Sequence, residues 1–325
     1  MARIGVVAIG RNEGERLRAC LQSFGAATLP IVYVDSGSSD GSPEMARTLG
    51  ADVVALDLSI PFTAARARNI GFERLRQMAP EIEFVQFVDG DCQIASDWLQ
   101  KADAYLNENA KVAIVCGRRR ERHPEQSIYN RLCDIEWDTP VGEAGACGGD
   151  ALMRVSAFLE SGGYNPEMIA GEEPEFCVRL RGAGWKIFRL DAEMTLHDAA
   201  MTRFRQWWKR AVRCGFAYAL GAHLHGKSPE KHWVRERRRL LLWGFLFPFV
   251  LLAAAWPSYG WSLLGFAIYP LQMAKIALRM RSRSLGDRMA FGISCMLSKF
   301  AEFVGWCKFQ RSRRRGGPVK IIEYK

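Results

Sequence analysis

Short apolar runs and segments of helical period take turns over the first third of the chain. Ile4–Ile9 is unbroken apolar sequence, the pattern of a strand buried on both faces. Glu13–Phe24 sets Leu17, Leu21 and Phe24 at helical spacing. Ile31–Val34 reads as a second strand. It runs into Asp35-Ser36-Gly37-Ser38-Ser39-Asp40-Gly41-Ser42, turn chemistry ahead of a helix over Pro43–Leu49. Asp52–Leu56, Glu83–Val88 and Ala113–Val115 supply three further strands, with helices over Thr63–Met78 and Ser96–Asn107 between them. This order predicts an α/β fold with a mainly parallel, twisted sheet and right-handed crossovers. Residues 117–147 read as irregular and polar, followed by a helix over Glu173–Gly182 and a strand over Lys186–Leu190. Together these elements predict a domain over residues 1–200.

The pattern then changes. Leu240–Ala274 contains no Asp, Glu, Lys, Arg or His. As one helix it would run about 50 Å, too long for a single ~30 Å bilayer core. Pro257-Ser258-Tyr259-Gly260 divides it near the middle, so the expectation is an apolar helical hairpin over 240–278, preceded by a basic amphipathic connector over 201–239. Arg235, Arg237, Arg238 and Arg239 flank one end, and Lys275, Arg279, Arg281 and Arg283 the other. The excess of cations places both flanks on the cytoplasmic side of an inner membrane. Trp243, Trp256, Tyr259 and Trp261 suit the interfaces. Residues 279–325 read as an interfacial amphipathic helix around Met289–Trp306 and a basic tail that includes Arg311–Arg315. A buried helical pair in a soluble core would need neither the flanking cations nor the aromatics.

Charge sharpens this division. The net charge of +10 splits into 21 Lys+Arg against 30 Asp+Glu up to Ala199, and 24 against 5 from Ala200 onward. The basic part brackets apolar runs instead of forming one polar face, which disfavours nucleic acid as a partner. Nine cysteines with no C-x-x-C pair exclude a disulfide scaffold and fit a reducing compartment. Met1-Ala2-Arg3 leads straight into Ile4–Ile9, which is too short and too β-branched for the core of a signal peptide.

Ligands of open α/β sheets sit at the carboxyl ends of strands. Three such ends carry polar groups: Gly10-Arg11-Asn12-Glu13, Asp35-Ser36-Gly37 and Asp89-Gly90-Asp91. Two carboxylates one residue apart can share a hard cation and bridge it to phosphate oxygens. A carboxylate at Asp35 can accept from a base N–H or a ribose hydroxyl, while Ser39 or Asp40 caps the next helix. Arg68, at a helix start, offers a fork to a diphosphate. Trp137, Trp207 and Trp208 could stack on sugars or sit in a lipid interface, and Arg118, Arg119, Arg120 and Arg122 could meet a lipid-linked phosphate.

In order and spacing these segments resemble the family 2 glycosyltransferases, inverting enzymes of the GT-A fold that use nucleotide-diphospho-sugars. The resemblance rests on Gly10–Glu13, Val34–Gly41, Ala65–Gly71, Phe87–Asp91, Gly148–Arg154, Gly162–Tyr164 and Gly171–Leu180, and covers roughly residues 3–200. It implies a nucleotide site formed by Ala8, Arg11, Glu13, Asp35, Arg68 and Asp89, with Asp35 on the base and Arg68 on the diphosphate. It implies Asp150 and Glu172 beside the donor sugar, Mn²⁺ or Mg²⁺ on Asp91 and His197, and Glu173 as catalytic base. The usual Glu-Asp pair appears here as Glu172-Glu173, so the base is one methylene longer. The Gln206–Arg210 opening of the tail resembles that of membrane-attached members working on bacterial polysaccharides. The implied reaction transfers a sugar, from a UDP-sugar in the first instance, to a hydroxyl of a lipid-linked glycan for exopolysaccharide or envelope polymer synthesis. Direct transfer to polyprenyl phosphate is the nearest alternative, and a non-catalytic membrane scaffold with a nucleotide-sugar-binding fold is another. A nucleotidyltransferase fits poorly, because no Gly-rich loop with a lysine follows Ile9.

Overall fold

The computed structural model describes residues 3–25, 29–280 and 282–315. Met1, Ala2, Arg281 and the end of the basic tail, residues 316–325, lie outside them, so the expectations drawn from those positions do too. The chain divides into two compact units, Met1–His123 with Cys133–Ala199, and Pro124–Leu132 with Ala200–Lys325.

The first unit alternates strands and helices: β1 (Ile4–Gly10), α1 (Glu15–Gln22), β2 (Ile31–Asp35), α2 (Ser42–Thr48), β3 (Asp52–Ala55), α3 (Ala64–Met78), β4 (Phe84–Asp89) and β5 (Cys92–Ile94). It continues through α4 (Trp98–Glu108), β6 (Val112–Glu121), α5 (Ile128–Glu136), β7 (Gly142–Glu143), β8 (Ala151–Arg154), α6 (Val155–Glu160), α7 (Glu172–Gly182) and β9 (Lys186–His197). Among the described residues one nine-stranded sheet runs β3-β2-β1-β4-β8-β6-β9-β5, with β7 beside β9. The half β3-β2-β1-β4 is parallel, as the apolar runs predict. The other half is mixed, because β8 enters antiparallel between β4 and β6, and β5 and β7 run antiparallel to β9.

Local chemistry explains how the parallel half is built. Thr63 caps α3 by accepting from the Arg66 N–H. Gly71 lets α3 lie on the sheet, since a Cβ there would stand 2.5 Å from Val7 and 2.8 Å from Val34. The polar pair Gln86–Trp98 is buried but satisfied, with the indole N–H donating to Gln86 at 2.9 Å.

Two readings of the sequence change. The arginine run expected in a loop is strand: β6 continues to Glu121 alongside β9, with Arg118 opposite Glu193, Arg119 opposite Thr195 and Glu121 opposite His197. The strand tolerates these charges because Arg120 pairs with Glu193 at 2.7 Å and Arg118 with Asp134 at 3.0 Å. The last strand is likewise longer than Lys186–Leu190 and reaches His197. All nine cysteines are free thiols.

The second unit is helical: α8 (Phe204–His225), α9 (Val234–Leu241), a π-helical turn over Leu242–Leu246, α10 (Phe247–Ala253), a 3₁₀ turn over Trp261–Ala267, α11 (Ile268–Arg279) and α12 (Leu285–Arg315). The apolar stretch does bend near Pro257, where Trp256 and Tyr259 are 92% and 95% exposed. Trp261–Arg279 is the one helical segment among the described residues long and apolar enough to cross a membrane. The extra carbonyl that a π-turn leaves is satisfied, as Tyr269 donates to the Trp243 carbonyl at 2.5 Å. Met289–Trp306 is the middle of the 31-residue α12, whose Met296, Ala301, Glu302 and Gly305 are buried. Lys299 closes on Glu302 at 2.6 Å, so both charges are paired within the helix. Backbones meet at glycines, the packing typical of membrane helices. A Cβ on Gly215 would stand 2.0 Å from the Glu302 carbonyl, and one on Gly305 2.1 Å from that of Val212.

Gly215→Ala should therefore destabilise the helical unit by about 1–3 kcal/mol, despite alanine's better helix propensity, because a backbone cannot step aside. Thermal unfolding of the detergent-solubilised chain checks this; an unchanged or raised melting temperature would count against the tight crossing.

Candidate functional site

The carboxyl end of β4 delivers Asp89 and Asp91. Around them converge α3 with Arg68, β6 with Arg119 and Glu121, the start of β8 with Asp150, the first turn of α7 with Glu172 and Glu173, and the end of β9 with His197.

Arg68 is the electrostatic centre. Its side chain is only 2% exposed; Nη2 donates to Asp89 at 2.8 Å, and Nη1 meets Glu172 at 3.1 Å and Glu173 at 2.9 Å. Its cationic edge also lies 5.6 Å from the Tyr164 ring centroid. The expectation that Arg68 touches a diphosphate needs correction. A guanidinium this buried, with three carboxylates around it, supports the acidic groups from below and presents no open donor face.

Asp150 calls for a similar correction. It is fully buried; Oδ1 accepts from the Asp89 N–H at 3.1 Å, and Oδ2 accepts from Thr195 at 2.8 Å and Arg119 at 2.6 Å. Its carboxylate is committed to holding Asp89, so a donor sugar finds no free oxygen there. Ala8 is also 0% exposed, inside β1 between β2 and β4, and belongs to the core.

The loops after β1 and β2 form a second, more open group. Asn12 adopts a left-handed backbone, φ 56°; its backbone N–H donates to the Ser38 hydroxyl and its side-chain Oδ1 accepts from the Ser39 N–H, both at 2.8 Å. Asp35 accepts from the Gly37 and Ser38 N–H groups at 3.0 and 2.9 Å and from the Tyr33 hydroxyl at 3.2 Å. It thus shapes the turn. Glu13 pairs with Arg16 at 2.8 Å, and Arg11 is exposed over the Phe62 ring.

Asp91 and His197 lie together, Oδ1 to Nε2 at 3.4 Å, both buried. Nδ1 of His197 is 3.7 Å from Glu121, an ion-pair rather than a hydrogen-bond distance. Glu121 is fixed in turn by the N–H groups of His123 and Ala199. A carboxylate oxygen and an imidazole nitrogen converging, with a second carboxylate behind the imidazole, fit a divalent cation of the Mn²⁺ or Mg²⁺ type. The ligand atoms of Asp91, Cys92 and His197 fall within 4.8 Å of one another, as do those of Asp89, Cys92 and Asp150. Hard divalent cations of this type take oxygen and imidazole donors in preference to the Cys92 thiol. Burial, reinforced by the charge of Asp150, pushes that thiol well above the usual range and keeps it protonated.

Electrostatics separate the carboxylates. Burial alone would raise Asp89, but the Arg68 and Arg119 guanidiniums hold it below the usual carboxylate range. Glu173 goes the other way. Burial and the neighbouring Glu172 charge lift it to about 7, against the pull of Arg68. Two acids in one cleft with pKa values pushed apart is the arrangement that assigns acid–base roles.

Of the residues singled out from sequence, Asp91 stands beside His197, and Glu172 and Glu173 are linked to Asp89 through Arg68. Sequence reasoning missed Glu121 and Thr195, and it left Arg119 undistinguished within Arg118-Arg119-Arg120-Glu121-Arg122. Strand alternation would not have singled out Arg119, because the register of β6 shifts on both sides of Arg118.

A nine-stranded α/β sheet with an Asp-x-Asp strand end and an acidic helix start is a GT-A-type fold. Residues 6–158 match the model of glycosyl transferase family 2; the chain carries this domain and is a glycosyltransferase. Glycosyltransferase AglE of Haloferax volcanii is 23% identical over 217 residues, 63% of this chain and 69% of the relative. Succinoglycan biosynthesis protein ExoA of Rhizobium meliloti is 23% identical over 287 residues, 78% of this chain and 84% of the relative. Among solved structures, mannosyltransferase PcManGT from Pyrobaculum calidifontis, in complex with GDP-Man and Mn²⁺, superposes with a TM-score of 0.63 at 19% identity, over 94% of this chain and 87% of that one.

Arg68→Met should cost about 3–5 kcal/mol of stability, since it strands Asp89, Glu172 and Glu173 without their shared cation. Urea unfolding of the variant measures this; a loss below 1 kcal/mol would show that the cluster does not depend on Arg68.

Proposed function

We propose that the chain is a metal-dependent inverting glycosyltransferase, attached to the cytoplasmic face of the inner membrane, that moves a sugar from a nucleotide-diphospho-sugar to a hydroxyl of a lipid-linked glycan. The observation that carries this is Glu173: a carboxylate poised near neutrality, 14% exposed, one residue from Glu172 and joined through Arg68 to the Asp89 strand end.

In this reading the loops Gly10–Glu13 and Asp35–Ser39 receive the nucleoside. Asp91 and His197 would hold Mn²⁺ or Mg²⁺, with Asp89 adjacent, and the cation supplies positive charge where the leaving diphosphate gains negative charge. Glu173 takes the proton of the acceptor hydroxyl as its oxygen bonds to the anomeric carbon and the bond to the diphosphate breaks. Attack from the face opposite the leaving group inverts that carbon. Arg68 keeps Asp89 charged and holds Glu172 and Glu173 in place. The paired cations at the ends of the apolar helices and the exposed Trp256, Tyr259 and Trp261 support membrane attachment. A relative named for succinoglycan biosynthesis supports a polysaccharide product.

Three outcomes are expected. A thermal-shift screen of UDP-, GDP- and dTDP-sugars with Mn²⁺ should raise the melting temperature with one nucleotide class; no response to any of them would remove the donor assignment. Glu173→Gln should keep donor binding and lose transfer by at least about 10²-fold, the size of a lost general base; transfer at the parental rate would move the base elsewhere. Because Glu173 works only when deprotonated, the transfer rate should climb as pH rises through about 7 and then level off, and this rise should vanish in Glu173→Gln. A rate that falls over that range would contradict the assignment.

A further inference from the structure

Arg119 differs from the other arginines of its run. Arg118 is buried and held by Asp134, and Arg120 is spent on Glu193 at the surface. Arg119 sends only Nη2 inward, to Asp150 at 2.6 Å and Asp89 at 3.5 Å. Among the described residues Nη2 is the only Arg119 side-chain nitrogen shown in a hydrogen bond or ion pair, and the side chain keeps 15% exposure. The guanidinium also lies over an indole ring. Its carbon lies 5.5 Å from the Trp137 ring centroid, and the same ring meets His197 edge-on at 4.7 Å.

A guanidinium anchored by one nitrogen and lying over an indole ring has its remaining N–H edge restricted in direction. That geometry suits two adjacent phosphate oxygens better than a mobile ammonium would. Arg68, the other arginine of the cleft, has no such edge to offer. We infer that Arg119, presented by Trp137, is the side chain that binds the diphosphate of the nucleotide donor. Trp137 acts as a positioning residue that sets Arg119 and His197 at once. This rests on the nucleotide-sugar reading above and assigns the anion contact within that site. The charge balance is consistent: Asp89 and Asp150 fix the guanidinium from one side, and the incoming diphosphate meets it from the other.

The test compares the affinity of UDP, GDP or dTDP, whichever binds, with that of its nucleoside. The full-length chain is used in detergent, with EDTA present so that no cation contributes. Arg119→Lys keeps the charge but loses the fork, Trp137→Ala removes the platform, and Trp137→Phe keeps an aromatic face. The diphosphate's advantage over the nucleoside should shrink by about tenfold in Arg119→Lys and Trp137→Ala, the scale of one charge-assisted hydrogen bond. It should stay within about twofold of the parent in Trp137→Phe, which retains the cation–π face. Nucleoside affinity should not change in any of them, which a merely structural lesion would not spare. An unchanged advantage in natively melting Arg119→Lys and Trp137→Ala overturns the inference, as does a parent chain that shows no diphosphate advantage in EDTA. Binding of the diphosphate by that parent once Mn²⁺ is added would leave the glycosyltransferase reading standing; no nucleotide binding even then would remove both.

Discussion

One buried cation organises this molecule. Arg68 stands under the sheet's carboxyl edge and binds three carboxylates from two distant stretches of chain, Asp89 after β4 and Glu172 and Glu173 at the start of α7. Desolvating a guanidinium is costly, and only close, well-hydrogen-bonded carboxylates offset it. The same geometry that satisfies Arg68 therefore fixes where the acids stand. It also divides their chemistry. Asp89, between two arginines, stays ionised, while Glu173, which shares Arg68 with Glu172, is left holding its proton near neutrality.

Around that cluster lies a shell that keeps it in place. Asp150 grips the Asp89 backbone and is itself tied to Thr195 and Arg119. Glu121 stands behind His197 and is pinned by two backbone N–H groups. Such supports set ligand direction as strongly as the ligands themselves. They come from β6, β8 and β9, the mixed half of the sheet, so the strands that depart from the parallel pattern are the ones that furnish the shell. The helical unit solves a different problem. Its helices approach through glycines at Gly215, Gly244, Gly292 and Gly305, and it pairs Lys299 with Glu302 inside a helix instead of exposing either charge on an apolar face.

Much of this was legible in the residues. Apolar runs as pure as Ile4–Ile9 can be little other than buried strands, and they gave the parallel half of the sheet. The Asp89-Gly90-Asp91 and Glu172-Glu173 motifs were readable because local spacing alone makes them candidate ligands and bases. The charge changes sign at Ala199–Ala200; the two compact units divide at that point too, with Pro124–Leu132 grouped with the tail. The arginine run at 118–122 reads as a loop from sequence, since its strand character comes from β9 alongside it, and no local pattern records partners such as Glu193 and His197 that lie far along the chain.

What the chain determined by itself is the inventory and its order: which strands are buried, which turns carry acids, and where an acidic half gives way to a basic, apolar one. These follow from periodicity and composition, which are local. Tertiary structure decided which charges are buried and which are reachable. Arg68 and Asp150 read as ligand contacts and turn out to be supports, whereas Arg119, one of several alike in sequence, keeps an edge turned to the cleft. Burial is a property of the neighbours that fold over a residue, and those neighbours are set by the whole chain.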